Sequence, residues 1–386
     1  MTARGKPELR KFVAPEIVFG EGALGLIGQY AANLGARKVL LVTDRGVRAA
    51  GWTGAVEKEL KEAGIVYVVF DDVTSNPKDH EAMAGADIYR SEKCDVIVAV
   101  GGGSPMDCAK AIGIVATNDL HALEFEGMDE VVVPGPPLIC IPTTAGTSAD
   151  VSQFAIITDT ARQVKIAIIS KTVVPDVALI DPATTVTMST ELTAATGMDA
   201  LVHAVEAYVS NAGSPLTDLN ALEAIRLVTR HLPGVVNAPR NMFFRNGMML
   251  GSLLAGLAFS NASLGLVHSM AHALGGRLDL AHGDCNSILL EHVVRFNFDG
   301  AAERYRAIGR AMGLPMEDTP ADGERLAEAL GHFRRRVGIH LTLGELGVEP
   351  ADIPDMARNA FHDPCLATNP TQPTVREIEV IYEQAL

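Results

Sequence analysis

The chain has 386 residues, which is enough for two domains that each bury a core of their own. Hydrophobic residues make up 48% and charged residues 20% of the sequence, a balance that excludes an intrinsically disordered chain. The formal net charge of −15 argues against a partner such as nucleic acid or an anionic membrane, because both bind clustered lysine and arginine.

The first dozen residues, the apolar stretches and the cysteines predict a cytoplasmic protein. The first dozen residues are charged and lack the apolar run of a secretory signal. The longest nearly apolar stretch, 248–259, is too short to span a bilayer. The five cysteines are widely spaced and lie mostly in apolar segments, so we expect free thiols in a reducing compartment.

Short aliphatic runs alternate with amphipathic segments through the first half. The runs lack polar alternation, as strands covered on both faces do, and they are 16–19, 38–43, 65–70, 95–100 and 137–141. Helices are predicted between them, for example at 52–63 and 81–92. This order predicts an α/β fold with a doubly wound parallel sheet, followed by a hairpin over 154–158 and 164–169.

After Asp181 and Pro182 nearly every segment has helical spacing. The predicted helices are 191–210, 216–231, 241–260, 263–275, 283–296, 301–313, 321–338 and 374–385. We therefore predict an α/β domain over residues 1–184 and an all-α domain over residues 185–386.

One carboxylate and four imidazoles form two clusters in the helical half. Asp199 and His203 are four residues apart, as are His268 and His272, so each pair shares one face of its helix. A glycine pair is predicted to end the second helix, and His282 follows after a short loop. A lone histidine on an apolar helix is usually a core residue, but two such pairs need partners that a shared ion would supply. Three imidazoles with one carboxylate suit Fe²⁺ or Zn²⁺.

Two glycine-rich loops compete for the role of binding the phosphates of a dinucleotide. The loop at 20–25 fits GxGxxG after a strand, and Asp44 ends the next strand. The loop at 101–104 follows a buried strand and opens a helix whose free amides attract anions. The residues alone leave this choice open. Under either choice Asp44 can accept hydrogen bonds from an adenosine ribose and repel a 2′-phosphate, which favours NAD over NADP.

In combination, these motifs resemble the iron-dependent (group III) alcohol dehydrogenases. The resemblance rests on GGGSPMDCAK at 101–110, PTTAGTSADV at 142–151, the Asp199 and His203 pair, and HSMAHALGG and AHGDCN within 268–286. It extends from about residue 12 to the last residue. It implies a fold like that of dehydroquinate synthase: a dinucleotide-binding α/β domain, a helical metal-binding domain and a cleft between them.

The resemblance also implies roles for individual residues. The metal ligands would be Asp199, His203, His268 and His282, and the residues lining the cofactor would be Asp44, Asn76, Gly102, Gly103, Ser104, Thr143, Thr144, Ser152 and Lys165. The resemblance thus selects the loop at 101–104 for the pyrophosphate. Phe259 would form a wall of the substrate pocket, and His272 would lie near the substrate without binding the metal. We expect His272 to act in catalysis by relaying a proton.

One loop departs from the family pattern, TTAGTGSEVT. Ser148, Ala149 and Asp150 stand where the pattern has glycine, serine and glutamate. Because this loop is expected near the nicotinamide, the departures would affect the shape of the substrate pocket and the affinity for the cofactor.

We therefore expect an NAD-dependent, iron-containing alcohol dehydrogenase that acts on a primary alcohol and its aldehyde. The resemblance implies Fe²⁺ before Zn²⁺ or another divalent ion, and a homodimer or larger homo-oligomer. The alternatives are a glycerol-type polyol dehydrogenase or dehydroquinate synthase, a non-redox metal-dependent enzyme such as a hydrolase, and a metal-stabilised binding protein without catalysis.

Overall fold

The computed structural model describes residues 9–386, so residues 1–8 of the predicted N-terminal domain lie outside the described part. Its strands are β1 (Glu16–Phe19), β2 (Lys38–Val42), β3 (Val66–Phe70), β4 (Val96–Gly101), β5 (Gly127–Met128), β6 (Leu138–Pro142), β7 (Phe154–Asp159), β8 (Val164–Ile169) and β9 (Val177–Ile180). Six of them form one parallel sheet in the order β1-β9-β6-β4-β2-β3. The predicted parallel sheet is confirmed.

The helices of this half cover both faces of the sheet. They are α1 (Ile27–Asn33), α2 (Arg45–Ala49), α3 (Trp52–Glu62), α4 (Asp79–Ser91) and α5 (Gly103–Asn118). Along β2, Val39 and Leu41 belong to one buried cluster, and Leu40 and Val42 belong to the cluster on the opposite face. Both faces are therefore apolar, which explains why the strands lack polar alternation.

The strand order creates a topological switch point between β2 and β4. The chain passes from β2 outward to β3 and then returns to place β4 on the other side of β2. Ligands of open α/β sheets bind at the carboxyl ends of the strands beside such a point. Asp44 follows β2 there, and Gly102 follows β4.

A second sheet holds the predicted hairpin. β7 and β8 pair antiparallel, and the short strand β5 joins β8 in parallel. Two strands were not predicted from the sequence: β5, and β9, a run of only four residues that lies inside the main sheet between β1 and β6.

The second half is helical, as predicted. Its helices are α6 (Thr190–Val209), α7 (Pro215–Asn237), α8 (Met242–Ala262), α9 (Leu266–Leu278), α10 (His282–Asn297), α11 (Ala302–Ala311), α12 (Asp322–Arg336), α13 (Ile353–His362) and α14 (Val375–Ala385). α13 was not predicted. α8 is long and apolar enough to cross a membrane by length and composition, but 56% of its most apolar window is buried, and it packs against α6 and α7 as a core helix.

The prediction that Gly275 and Gly276 end α9 is wrong. The helix continues to Leu278, and Asp279 closes it in the left-handed conformation. A Cβ atom on Gly275 would lie 2.7 Å from Lys165 Nζ, and one on Gly276 would lie 3.0 Å from Val164 Cα. The glycine pair therefore lets α9 pack closely against β8, which a sequence pattern cannot distinguish from a helix end.

Candidate active site

Three imidazoles from three helices surround one carboxylate oxygen in the helical half. Asp199 and His203 lie one turn apart on α6, His268 lies on α9, and His282 is the first residue of α10. The Nε2 atoms of the three histidines lie 3.9, 3.8 and 3.8 Å from the same carboxylate oxygen, Asp199 Oδ1. These are the four residues for which the sequence analysis predicted a common ion.

A glycine brings the third helix close enough to join this group. A Cβ atom on Gly283 would lie 2.4 Å from the carbonyl oxygen of Ala195 on α6. Only a residue without a side chain allows the start of α10 to approach the α6 backbone so closely. His282, next to this glycine, is thereby held within 3.8 Å of Asp199.

The electrostatics of the group fit a divalent cation. Asp199, His203 and His268 are buried. Burial lowers the pKa values of His268 and His282 well below the usual value, so both imidazoles are neutral near pH 7. Neutral imidazole nitrogens and one carboxylate oxygen are donors that Fe²⁺ and Zn²⁺ accept.

Glu206 fixes the orientation of one of these imidazoles. Its Oε2 lies 2.6 Å from His268 Nδ1, and its Oε1 accepts a hydrogen bond of 2.6 Å from the backbone N–H of Val267. A carboxylate on Nδ1 keeps the proton there and leaves the Nε2 lone pair free to face the other donors. Burial raises the pKa of Glu206 to about 7, and the backbone amides that it accepts from oppose this increase.

His272 is one turn beyond His268 but has a different partner. Its Nδ1 lies 2.9 Å from Asp363 Oδ2, and its ring stacks on that of His282 at 5.4 Å between centroids. Burial alone would raise the pKa of Asp363, but the neighbouring His272 and the hydrogen bonds it makes lower it below the usual value. His272 therefore lies beside the four donors, tied to a carboxylate of its own.

The loop after β4 offers free amides to an anion. α5 begins at Gly103, and Gly102 caps it without any side-chain hydrogen bond. A Cβ atom on Gly102 would lie 3.2 Å from Thr144 Cγ2, and one on Gly103 would lie 2.7 Å from Thr147 Cγ2. The two glycines thus keep a narrow space open beside Thr144 and Thr147, at a helix N-terminus that favours phosphate.

The competing loop at 20–25 uses its amides within the chain. The backbone N–H groups of Gly22 and Leu24 both donate to Asp181 Oδ2, at 2.9 and 3.3 Å. These amides therefore stabilise the start of the short 3₁₀ helix Ala23–Leu26 and are not directed at a ligand. A carboxylate about 160 residues away in the sequence fills the place that a phosphate would take.

One continuous cleft joins the predicted cofactor and metal residues. An outer cavity of about 830 Å³ is lined by Asp44, Gly102, Gly103, Ser104, Thr143 and Thr144. An inner cavity of about 150 Å³ is lined by Asn76, Gly103, Ser104, Ser152, Lys165, Phe259, His203, His268, His272 and His282. The two cavities share Gly103, Ser104 and Thr147, so the loop after β4 lies where the outer cavity meets the inner one.

Lysines hold the predicted cofactor residues of the inner cavity. Lys165 Nζ donates to Asn76 Oδ1 at 2.7 Å, and burial lowers the pKa of this lysine to about 8. Lys110, which the sequence analysis missed, is fully buried and donates to Ser152 Oγ and to the carbonyl oxygens of Ser152 and Phe154. Phe259 stacks on His203 at 4.3 Å between ring centroids.

The departures from the family loop have different surroundings. Ala149 lines the inner cavity. Ser148 is buried in the left-handed conformation, and its Oγ donates to the carbonyl oxygen of Ser252 on α8 at 2.7 Å. Asp150 is buried as well, and burial raises its pKa to about 6. Of these three residues, only Ala149 is among the described residues that line the inner cavity. Ser148 and Asp150 can therefore affect the shape of the pocket only indirectly.

Ser148 depends on a glycine in α8. A Cβ atom on Gly256 would lie 2.3 Å from Ser148 Cβ. We expect Gly256→Ala to destabilise the protein by about 1–3 kcal/mol through overpacking. Ser148→Gly should recover part of this loss in the double variant, because the contact with Val151 Cγ2 at 2.8 Å remains. Urea denaturation of both single variants and the double variant measures the coupling. Additive losses would contradict this account.

Comparison with known proteins places these features in one family. The family model for iron-containing alcohol dehydrogenase matches residues 14–182, and the model for the C-terminal part of that family matches residues 193–386. The chain is 43% identical to 1,3-propanediol dehydrogenase from Citrobacter freundii over 97% of its length and 98% of the relative's. The chain belongs to the iron-containing alcohol dehydrogenase family.

Further relatives agree with this membership. NAD-dependent methanol dehydrogenase from Bacillus methanolicus is 39% identical over 97% of this chain and 99% of its own. A crystal structure of 1,3-propanediol oxidoreductase superposes with a TM-score of 0.95 at 40% identity, covering 98% of this chain and all of that one. The protein is therefore a metal-dependent oxidoreductase of alcohols and aldehydes, with the two-part fold of its family.

Proposed function

We propose that the protein transfers a hydride between NAD(H) and a primary alcohol and aldehyde pair, using a divalent metal held by Asp199, His203, His268 and His282. The observation that carries this proposal is the convergence of three Nε2 atoms on Asp199 Oδ1, within 3.9 Å, at the inner end of the cleft. When bound, the metal supplies Lewis acidity toward the substrate oxygen, and the nicotinamide accepts or returns the hydride.

The residues of the cleft bind and orient the cofactor in this proposal. The amides at the start of α5, with Gly102, Gly103 and Ser104, take the pyrophosphate. Thr143 and Thr144 add hydroxyl groups from the loop after β6. Asn76, Ser152 and Lys165 lie at the inner end, where the ammonium group of Lys165 can donate to the cofactor. Phe259 and Ala149 exclude water beside the donors.

His272 holds the proton that an alcohol must release on oxidation. Its Nδ1 is tied to Asp363, and the side chain lines the inner cavity beside His282. In the reverse direction the same imidazole returns the proton to the alkoxide as the aldehyde is reduced.

Asp44 favours NAD over NADP. It caps α2 by accepting a hydrogen bond of 2.8 Å from the Val47 N–H, and it lines the outer cavity at the switch point. We expect Asp44→Gly to raise kcat/KM for NADP relative to NAD by about tenfold or more, because the 2′-phosphate no longer meets a carboxylate. Initial rates with both cofactors measure the ratio. Asp119→Gly, an exposed carboxylate in the left-handed conformation, is the control. An unchanged ratio in the Asp44 variant would show that this residue does not reach the ribose.

The proposal also covers the identity of the ion, the domain boundary, the cellular compartment and the oligomeric state. We propose Fe²⁺ as the resident ion, with Zn²⁺ as the nearest alternative, since both accept these donors. We place the domain boundary at 184/185, which lies between the end of one family model at residue 182 and the start of the other at residue 193. Five buried free cysteines support a reducing, cytoplasmic location. We also propose a homodimer or larger homo-oligomer, which sedimentation would test.

The experiment that tests the proposed reaction is a substrate panel. Metal-free protein is reconstituted separately with Fe²⁺, Zn²⁺, Mn²⁺ and Co²⁺ and assayed by NADH absorbance with straight-chain alcohols, diols, glycerol and the matching aldehydes. We expect metal-dependent turnover that is fastest with short primary alcohols or their aldehydes. Absence of any NADH signal with every metal would contradict hydride transfer, and a preference for glycerol would favour the polyol alternative.

A further inference from the structure

Asn286 occupies the centre of the four donors, although it is not among the predicted ligands. It lies on α10, one turn beyond His282, and is completely buried. Its Nδ2 atom is 2.7 Å from Asp199 Oδ1, 3.1 Å from His268 Nε2 and 3.0 Å from His282 Nε2. One amide nitrogen therefore contacts three of the four atoms that would hold the metal.

The orientation of this amide follows from its neighbours. Asp199 Oδ1 can only accept, and Nε2 of His268 accepts as well because Glu206 keeps the ring proton on Nδ1, so the NH₂ end faces them and the oxygen faces away. Asn286 Oδ1 is buried without a hydrogen-bond partner. A buried, unpaired carbonyl costs about 1–3 kcal/mol, and such groups concentrate at functional sites.

Two of the three imidazoles, those of His203 and His282, have no hydrogen-bond partner at Nδ1 that would orient the ring. His268 is oriented by Glu206 through Nδ1, but the Nδ1 atoms of His203 and His282 are buried without a partner. Three lone pairs and a carboxylate directed at one point repel one another unless a donor lies between them. Asn286 places the two N–H groups of its amide among His268, His282 and Asp199.

We propose that Asn286 is a positioning residue that preassembles the metal site. Before a cation arrives, its two N–H groups are shared among Asp199 Oδ1 and the Nε2 atoms of His268 and His282, and they hold these atoms toward their common centre. Each imidazole nitrogen has a single lone pair, so the amide must release both nitrogens when the cation binds. A carboxylate accepts several hydrogen bonds, so Asp199 can keep the amide and still bind a cation. Because the amide is neutral, it orients the donors without adding a second negative charge, which would weaken the Lewis acidity of the ion.

The inference rests on the proposed metal site, and binding of Co²⁺ to chelator-stripped protein tests the two separately. Asn286→Ala and Asn286→Leu are compared with the parent protein and with Ser287→Ala. Ser287 is the matched control, because it is buried on the same helix and its Oγ donates to the Asp284 carbonyl oxygen. Competition with a chromophoric chelator gives the affinity, and the visible spectrum of bound Co²⁺ reports the geometry of its ligands.

We expect both Asn286 variants to bind Co²⁺ about 10–100-fold more weakly, with shifted visible bands, while Ser287→Ala matches the parent. Circular dichroism selects the variants that fold, and the leucine variant fills the space that alanine would leave empty. Parent-like or tighter Co²⁺ binding with an unchanged spectrum in a folded Asn286 variant would overturn the inference alone. If the parent protein itself bound no Co²⁺, the proposed metal site would fail as well.

Discussion

Replacing His268 with alanine is expected to abolish metal binding and to lower kcat by about 1,000-fold or more, while NAD still binds. The imidazole is 1% exposed and supplies one of three nitrogens around Asp199 Oδ1. A Lewis acid at the substrate oxygen contributes several kcal/mol, and about 1.4 kcal/mol corresponds to a tenfold change in rate. The residues at the outer cavity belong to other elements, so cofactor binding should survive.

The measurements are metal content per chain, NADH turnover and NAD affinity by fluorescence. His231→Ala is the matched control, since His231 is also buried in the helical half but packs against Phe243, away from the donors. We expect that variant to lose stability and to keep its metal. Chelator-resistant activity in folded His268→Ala would count against the proposed site.

Replacing Glu206 with glutamine, a side chain of the same size, is expected to lower the metal affinity by about 100-fold. Glu206 accepts hydrogen bonds from His268 Nδ1 and from the Val267 N–H. A glutamine has only one accepting end, so its NH₂ group must face one of these two donors. If it faces Nδ1, the imidazole changes tautomer, and a proton then occupies the Nε2 atom that should bind the metal.

Chelator competition measures this loss, and Glu291→Gln provides the control. Glu291 is another buried glutamate of the helical half, and it pairs with arginines of α12 and α10 at a distance from the donors. Metal affinity should be unchanged in that variant. If Glu206→Gln also left the metal affinity unchanged, this would show that the carboxylate is not needed to orient His268.

The grouping of the four proposed metal ligands was predictable because their pattern is local. Asp199 and His203, and likewise His268 and His272, share a helix face through their spacing alone. Glu206 could have been found by the same reasoning, since it lies seven residues after Asp199 on that face, as Asn286 lies four after His282. Asp363, the partner of His272, could not, because it is 91 residues away and belongs to a segment without a motif.

The features that were mispredicted depend on distant partners. Gly275 and Gly276 resemble a helix end in sequence. Their role is instead to allow close packing against β8, which lies more than a hundred residues earlier in the chain. The choice between the two glycine loops depends on Asp181, which occupies the amides of the first loop. Such contacts are set by packing, so a sequence pattern leaves them open.

The most direct test is an anomalous difference map from crystals of the protein grown with NAD(H) and measured on both sides of the iron and zinc absorption edges. The account predicts one metal peak per chain, surrounded by Asp199, His203, His268 and His282, with the nicotinamide beside it in the inner cavity. A metal peak elsewhere would contradict it. Active protein that reduces the cofactor but holds no ion among these four side chains would contradict it as well.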